Sequence, residues 1–358
     1  MSTANKGEWS EIYAFFRILA DGKLYPGDAD LNKINDFFYP VISVIREELL
    51  GKRSFSIDST NIILTDDINP NIIFPIQRFI TEAKALLASI KISTGTFSVK
   101  TTEAFLLELG CTRIKADSKT KADIIIKIHD PRTSLQPILG FSIKSKLGAP
   151  STLLNASAAT NLIFQIKGVQ FSQTEIGQIN SINNSRKIRA RVQMIYKKGG
   201  FFELKGFDNQ IFKNNLILID SLLPDILSNA LIIFYKDEKV ILEDISKQLT
   251  LINPLNYDQS LKHKFYDHKL KRFLSEVALG MTPNTTWSGV YNGTEGYIIV
   301  KENGDVVCYH IINRNLFEDY LLKDTKLETP STGRHGFGEI YQENGELLFK
   351  LNLQIRFI

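Results

Sequence analysis

Two apolar rhythms alternate along this chain. Near the start, apolar residues recur three and four positions apart, at Trp9, Ile12, Tyr13 and Phe16 and then at Phe37, Val41, Val44 and Ile45. That spacing predicts helices from Lys6 to about Leu50. "FSIDSTNIILTD" (55–66) has strand character, and "FPIQRFITEAKALLASIK" (74–91) is an amphipathic helix with a proline near its start. "TTEAFLLELG" (101–110) reads as a capped helix stopped by glycine. Two apolar strands follow, over about 123–128 and 138–145, joined by the polar, proline-marked "HDPRTSLQP". A turn, a short helix and another apolar strand are expected in "GAPSTLLNASAATNLIFQIKG".

Beyond residue 180 the texture changes. "SRKIRARVQMIY" alternates charge with hydrophobe as a strand does, and a helical region then runs to about 276. The end is hairpin-like, with Asn-Gly set between apolar runs in "GYIIVKENGDVVCYHII" and again in "GEIYQENGELLFKLNLQIRF". Helices, then a mixed sheet, then a second αβ region define an α/β or α+β fold without a repeated βαβ rhythm. A soft boundary near 180 separates residues 1–180 from 181–358. The most apolar stretch, residues 214–235, is interrupted by Asp220, Pro224, Asp225 and Asn229, so it reads as buried helix and not as a membrane span. The N-terminal residues resemble neither a signal nor a transit peptide, and a cytoplasmic protein is expected.

Composition narrows the function only slightly. Lysine and arginine number 43 against 39 acids, a net charge of +4. That excess suits a nucleic-acid partner and equally a plain solvated surface. Cys111 and Cys308 are the only cysteines, which excludes a disulfide framework and a cysteine zinc site. No phosphate-loop sequence is present, so ATP-driven translocation is not indicated. His263 and His268 stand five apart, off a common helical face.

The densest chemistry lies in "KADIIIKIHDPRTSLQPILGFSIKSK" (121–146). Asp123 heads one apolar run, and Ser142, Lys144 and Lys146 share a face near the end of the next, because strand side chains alternate. In a hairpin, Asp123 and Lys144 meet at one edge. Two readings stay open from spacing alone: a surface hairpin with solvated lysines, or the metal site of a phosphodiesterase. For the second, the carboxylate usually found two residues before the lysine is absent, since that position is Ser142. "QIK" at Gln165–Lys167 is a weaker lysine motif of the same kind, and Lys167 is expected to be structural or to touch a phosphate.

"NKGEWSEIYAFFRIL", "KADIIIKI", "GFSIKSKLGAPSTLLNAS", "TNLIFQI" and "GRHGFGEIY…FKLNLQIRF" resemble, in order and over almost the whole chain, the type II restriction endonucleases of the HpaII type. The resemblance implies a core of the PD-(D/E)xK nuclease class, a mixed sheet flanked by helices, with additional C-terminal helices and β-hairpins. It further implies Mg²⁺-dependent cleavage of double-stranded DNA at CCGG, leaving 5′-phosphates. A cognate methyltransferase would act on the same site without a stable complex. Ala122-Asp123 stands for the "PD" element, lacking the proline, and Ser142-Ile143-Lys144 for (D/E)xK. Nucleases of this class often bring a carboxylate from an N-terminal helix, and "KGEWSE" offers Glu8 and Glu11. Glu11 is the first choice, because its next-turn neighbour Phe15 suggests a side turned toward the protein. The expected site is thus Asp123, Lys144, Ser142 and Glu11 or Glu8, with Asp117 and Asp130 in reserve for Asp123. A catalytically decayed DNA-binding protein and a structure-specific repair nuclease are the alternatives on the same core.

For DNA contacts the sequence offers Lys146, the row Arg186, Arg189 and Arg191, then Arg314, and Arg334 with His335 in the glycine-flanked "STGRHGFG". Arginine reads guanine O6 and N7 from the major groove, and any of these cations suits phosphate. The basic stretch 261–276 reads as a solvated face or a phosphate contact.

Overall fold

The computed structural model describes residues 3–48, 51–66, 71–114, 122–290 and 294–358. The chain divides into two compact units: Met1–Ser151 with Tyr291–Tyr320, and Thr152–Val290 with Leu321–Ile358. The division falls at Ser151 and not near residue 180, and the chain later returns to the first unit. Sheet pairing is the reason. The strand Asn161–Lys167 bonds to partners at 201–207 and 346–352, while Gly296–Val300 joins Ile138–Ser145.

Among the described residues, the first unit is built on a mixed sheet in the order Val306–His310, Gly296–Val300, Ile138–Ser145, Ile124–Ile128, Tyr39–Glu48, Gly51–Asp58, Asn61–Asp66 and Ile72–Pro75. The short Lys23–Leu24 also pairs with Tyr39–Glu48. Gly296–Val300 runs parallel to Ile138–Ser145, and the other pairs are antiparallel. The first helix, Lys6–Asp21, opens with a reciprocal cap between Asn5 and Glu8 and closes at Gly22 in the left-handed region, φ 61°. It buries Trp9, Ile12, Phe15, Phe16 and Leu19, and Phe15 meets Phe55 of the sheet edge-on at 5.0 Å. Each of these large side chains removed from water contributes roughly 1.5–3 kcal/mol, so the helix is anchored firmly above the strands.

The helical reading of residues 37–45 is corrected: Tyr39–Glu48 is a strand. Val41, Val44 and Ile45 keep a helical spacing because the strand is irregular between Val41 and Ser43, which shifts its alternation, while their branching at Cβ restricts a helix and suits a pleated surface. Neighbours on both edges then decide the outcome. The two strands expected about Asp123 and Lys144 form at Ile124–Ile128 and Ile138–Ser145, paired antiparallel. The helices Ile76–Ile92 and Lys100–Glu108 also form as expected.

The second unit holds an antiparallel sheet in the order Phe201–Phe207, Asn161–Lys167, Glu346–Asn352, Ile340–Glu343, and a smaller one in the order Thr152–Leu154, Ile355–Phe357, Thr325–Leu327. Asn344 and Gly345, at φ 50° and 78°, make the tight turn that the Asn-Gly pair anticipates. The strand expected at "SRKIRARV" is instead the helix Lys187–Lys197. Ile188, Val192 and Ile195 line its buried side at four- and three-residue spacing, and this helical period prevails over the two-residue alternation that overlies it. Residues 214–235 lie in two helices, Gln210–Ile219 and Leu223–Lys236, bent by 108°. Among the described residues no single helix is long and apolar enough to cross a membrane.

Candidate active site

Asp123 stands immediately before the Ile124 strand, and its backbone N–H donates to Phe141 O at 2.8 Å. That bond turns its carboxylate toward the neighbouring strand. There Oδ2 accepts from the Ile143 N–H at 2.7 Å and the Ser142 hydroxyl at 3.0 Å. Ser142 therefore orients the acid and brings no charge of its own. Lys144, two residues on and on the same face, is half-buried. Burial pushes its pKa down, while the charges of Asp123 and Glu11 act in the opposite sense. Acids from two different elements thus act on the charge of one ammonium.

The first helix delivers the second acid. Ser10 shares a hydrogen bond of 2.8 Å with Ser145 at the end of the lysine strand and also donates to Lys6 O. The next residue, Glu11, lines a cavity of about 460 Å³ together with Lys144, Ser145, Lys6 and Gly148. Glu8 has a different position: its carboxylate accepts from Asn5 N at 2.9 Å and closes the helix cap. The pattern Asn-x-x-Glu marks such a cap in the sequence and distinguishes the two glutamates.

Lys146 lies just past the strand, its N–H donating to Val300 O at 2.9 Å. Asp130, one of the reserve acids, is buried and held by the Arg132 guanidinium, which keeps its carboxyl below the usual range against the opposing effect of burial. Asp117 is outside the described residues. Gln165 and Lys167 belong to the second unit, where Gln165 donates to Glu346 and Lys167 faces Glu203 at 3.9 Å. Among the described residues no group of three or more His, Cys, Asp or Glu side chains forms a ready-made metal cage.

Two residues of the returning segment were missed from sequence. Glu295 accepts from Gly140 N at 2.5 Å, and a Cβ at Gly140 would stand 2.9 Å from that carboxylate and from Ala122 Cβ. Glycine is therefore needed at position 140. Tyr297 pairs with Ser142 in register, and its ring centroid lies 5.1 Å from the Lys144 ammonium. No local pattern announces either residue, because a parallel pairing across half the chain brings them in.

Among the expected DNA contacts, Arg191 is corrected. It is 3% exposed, and its guanidinium donates to the carbonyls of Gly338 (2.6 Å), Ile182 (2.9 Å) and Asn180. It ties loops together inside the second unit. Arg189 lies over the Phe234 ring at 4.5 Å, near Glu238. Arg186 remains exposed, 3.4 Å from the same glutamate. Arg334 and His335 sit on the short helix Thr332–His335, with Arg334 exposed. The Thr332 segment faces the start of the Lys187 helix across two cavities of about 580 and 290 Å³, both lined by Lys187 and Thr332. Arg314 pairs with Glu318 one helical turn on. The basic stretch 261–276 largely forms the helix Phe265–Ala278, where Lys271, Arg272 and Lys269 pair with Asp267, Glu276 and Asp220.

Comparison with known proteins fixes the class: the HpaII restriction endonuclease family model matches residues 5–357, and the chain belongs to that family. It is a type II restriction endonuclease, a site-specific deoxyribonuclease. The type II restriction enzyme HpaII of Haemophilus parainfluenzae is 44% identical over 360 residues, covering 99% of each chain. That identity makes the present chain a relative of that enzyme. No solved structure matches it.

Proposed function

We propose that this enzyme hydrolyses both strands of duplex DNA at CCGG in a Mg²⁺-dependent reaction, leaving 5′-phosphate and 3′-hydroxyl ends. The observation that carries the reading is that Glu11 and Lys144 line one open cavity, beside the strand segment Ser142–Ile143 that holds Asp123. The donor set fits the ion: both acids offer hard oxygen, and Mg²⁺ needs only one or two carboxylates with water and phosphate completing its shell. Asp123 keeps Oδ1 for such a role while Oδ2 is held by Ile143 and Ser142. Asp123 and Glu11 would hold the ion, which would supply positive charge to the phosphate and acidify water.

The protein's own groups do the positioning. Lys144 donates to the attacking water, aligns it with the phosphorus and offsets charge gathering on the phosphoryl oxygens. Ser142 keeps Asp123 from rotating. Glu11 supplies the negative charge that position 142 lacks. In the second unit, Arg186, Arg189, Arg334 and His335 are the proposed DNA contacts, and in the first, Lys146 and Arg314. The family match favours a restriction enzyme over a decayed binding protein or a structure-specific repair nuclease. Digestion of a DNA of known sequence in Mg²⁺, with the ends mapped, tests the reading. Discrete fragments ending within CCGG are expected. Uncut DNA, or nicking without sequence preference, would overturn it.

A further inference from the structure

We infer that Tyr297 is a positioning residue for Lys144: its ring face holds the lysine ammonium in place beside the polar row of the neighbouring strand. The inference rests on the proposed role of Lys144 and adds a residue from the returning segment to that site. Tyr297 lies on Gly296–Val300, parallel to the lysine strand, opposite Ser142, with Ile299 opposite Lys144. Paired residues in a sheet project to the same face, so the phenol stands beside the polar row. The ammonium is 5.1 Å from the ring centroid, within the ~6 Å at which a ring quadrupole attracts a cation.

The ring is itself fixed. Tyr297 is 4% exposed, and Phe317 meets it edge-on at 5.4 Å. Ser142, the partner of Tyr297 in register, donates to Asp123, so the acid, the ring and the ammonium gather around one strand segment. A half-buried ammonium has lost part of its hydration, and an aromatic face compensates more strongly there than in open water. A neutral ring restrains the ammonium without adding to the negative charge that Asp123 and Glu11 already bring to it. This gives the chain's return to the first unit a function: it supplies the third wall around Lys144.

The test compares Tyr297→Phe, which keeps the ring, with Tyr297→Leu, which removes it. Three quantities are read on the full-length protein: single-turnover cleavage of a CCGG duplex in Mg²⁺, binding of that duplex in Ca²⁺, and the ¹³C-lysine NMR spectrum. The Lys144 methylene signal is assigned by its disappearance in Lys144→Arg. We expect Tyr297→Leu to slow cleavage about tenfold, with binding unchanged and the Lys144 signal losing its ring-current shift. Tyr297→Phe should keep both the rate and the shift. Equal losses in Phe and Leu would assign the effect to the hydroxyl and overturn the inference, as would wild-type cleavage by Tyr297→Leu. If the leucine variant does not fold, the wild-type spectrum decides, because an unshifted Lys144 signal there contradicts the contact. Failure of the wild type to cut CCGG would count against the proposed specificity alone, since the NMR reading needs no substrate.

Discussion

His310 should make the first unit sensitive to mild acid. The residue is 1% exposed at the end of Val306–His310, against the rings of Tyr39 at 4.7 Å and Phe141 at 6.3 Å. Neither ring nitrogen has a hydrogen-bonding partner among the described residues. Burial, and then the Arg132 charge, push its pKa down from 6.5 to about 4, with Asp130 opposing. Above pH 6.5 the imidazole is neutral in both folded and unfolded chains, and the stability is fully present. Between 6.5 and 4 the unfolded chain takes up a proton that the folded chain refuses, so stability falls as pH falls. A gap of about 2.5 pH units corresponds to about 3 kcal/mol. Urea unfolding followed from pH 7.5 to 4, for the wild type and His310→Phe, isolates this contribution from the carboxylates, which both proteins share. The difference between the two curves should shift toward the variant by about 3 kcal/mol across that window. A difference independent of pH would refute the reasoning.

Lys144→Ala should abolish cleavage while DNA binding, measured by gel shift, stays close to wild type, because one lysine among many adds little phosphate attraction. Cleavage by Lys144→Ala with loss in Lys146→Ala would move the motif by two residues. Arg191→Ala removes a buried cation shared by three carbonyls and should cost about 2–4 kcal/mol of stability in urea unfolding. Arg334→Ala, at an exposed position, should leave stability unchanged and weaken or relax CCGG recognition by about 1–3 kcal/mol in competition binding against single-base variants.

The candidate site was partly legible because its centre is local. Asp123, just before one strand, and Ser142–Lys144, in the next, flank a link marked by Pro137, and antiparallel neighbours close in sequence meet without outside help. The first helix announced itself through Trp9, Ile12 and Phe16, and Asn5-x-x-Glu8 carried a capping signature that assigns Glu8 to the backbone. Elsewhere two rhythms fitted the same letters. Val41, Val44 and Ile45 are spaced as in a helix, and the strand they form hides its alternation behind a register shift between Val41 and Ser43. "SRKIRARV" alternates like a strand, yet its buried residues keep a helical period. Tyr297 and Glu295 reach the site through a parallel pairing, and the unit boundary at Ser151 follows from strand partners far along the chain. Such long-range contacts leave no periodic trace.

The source of the negative charge missing at Ser142 is tested most directly by cleavage rates of Glu11→Gln, Glu8→Gln, Ser142→Ala and Asp123→Asn on one CCGG duplex, in Mg²⁺ and in Mn²⁺. Glu11→Gln should fall about as far as Asp123→Asn, by ~100-fold or more, with the protein still folded. Ser142→Ala should be mild. Glu8→Gln keeps an oxygen for the Asn5 cap, so it should lose only the charge at the helix N-terminus, roughly 0.3–1 kcal/mol of stability, and cleave normally. Glu11→Gln cleaving at the wild-type rate would contradict the assignment of that charge to the first helix.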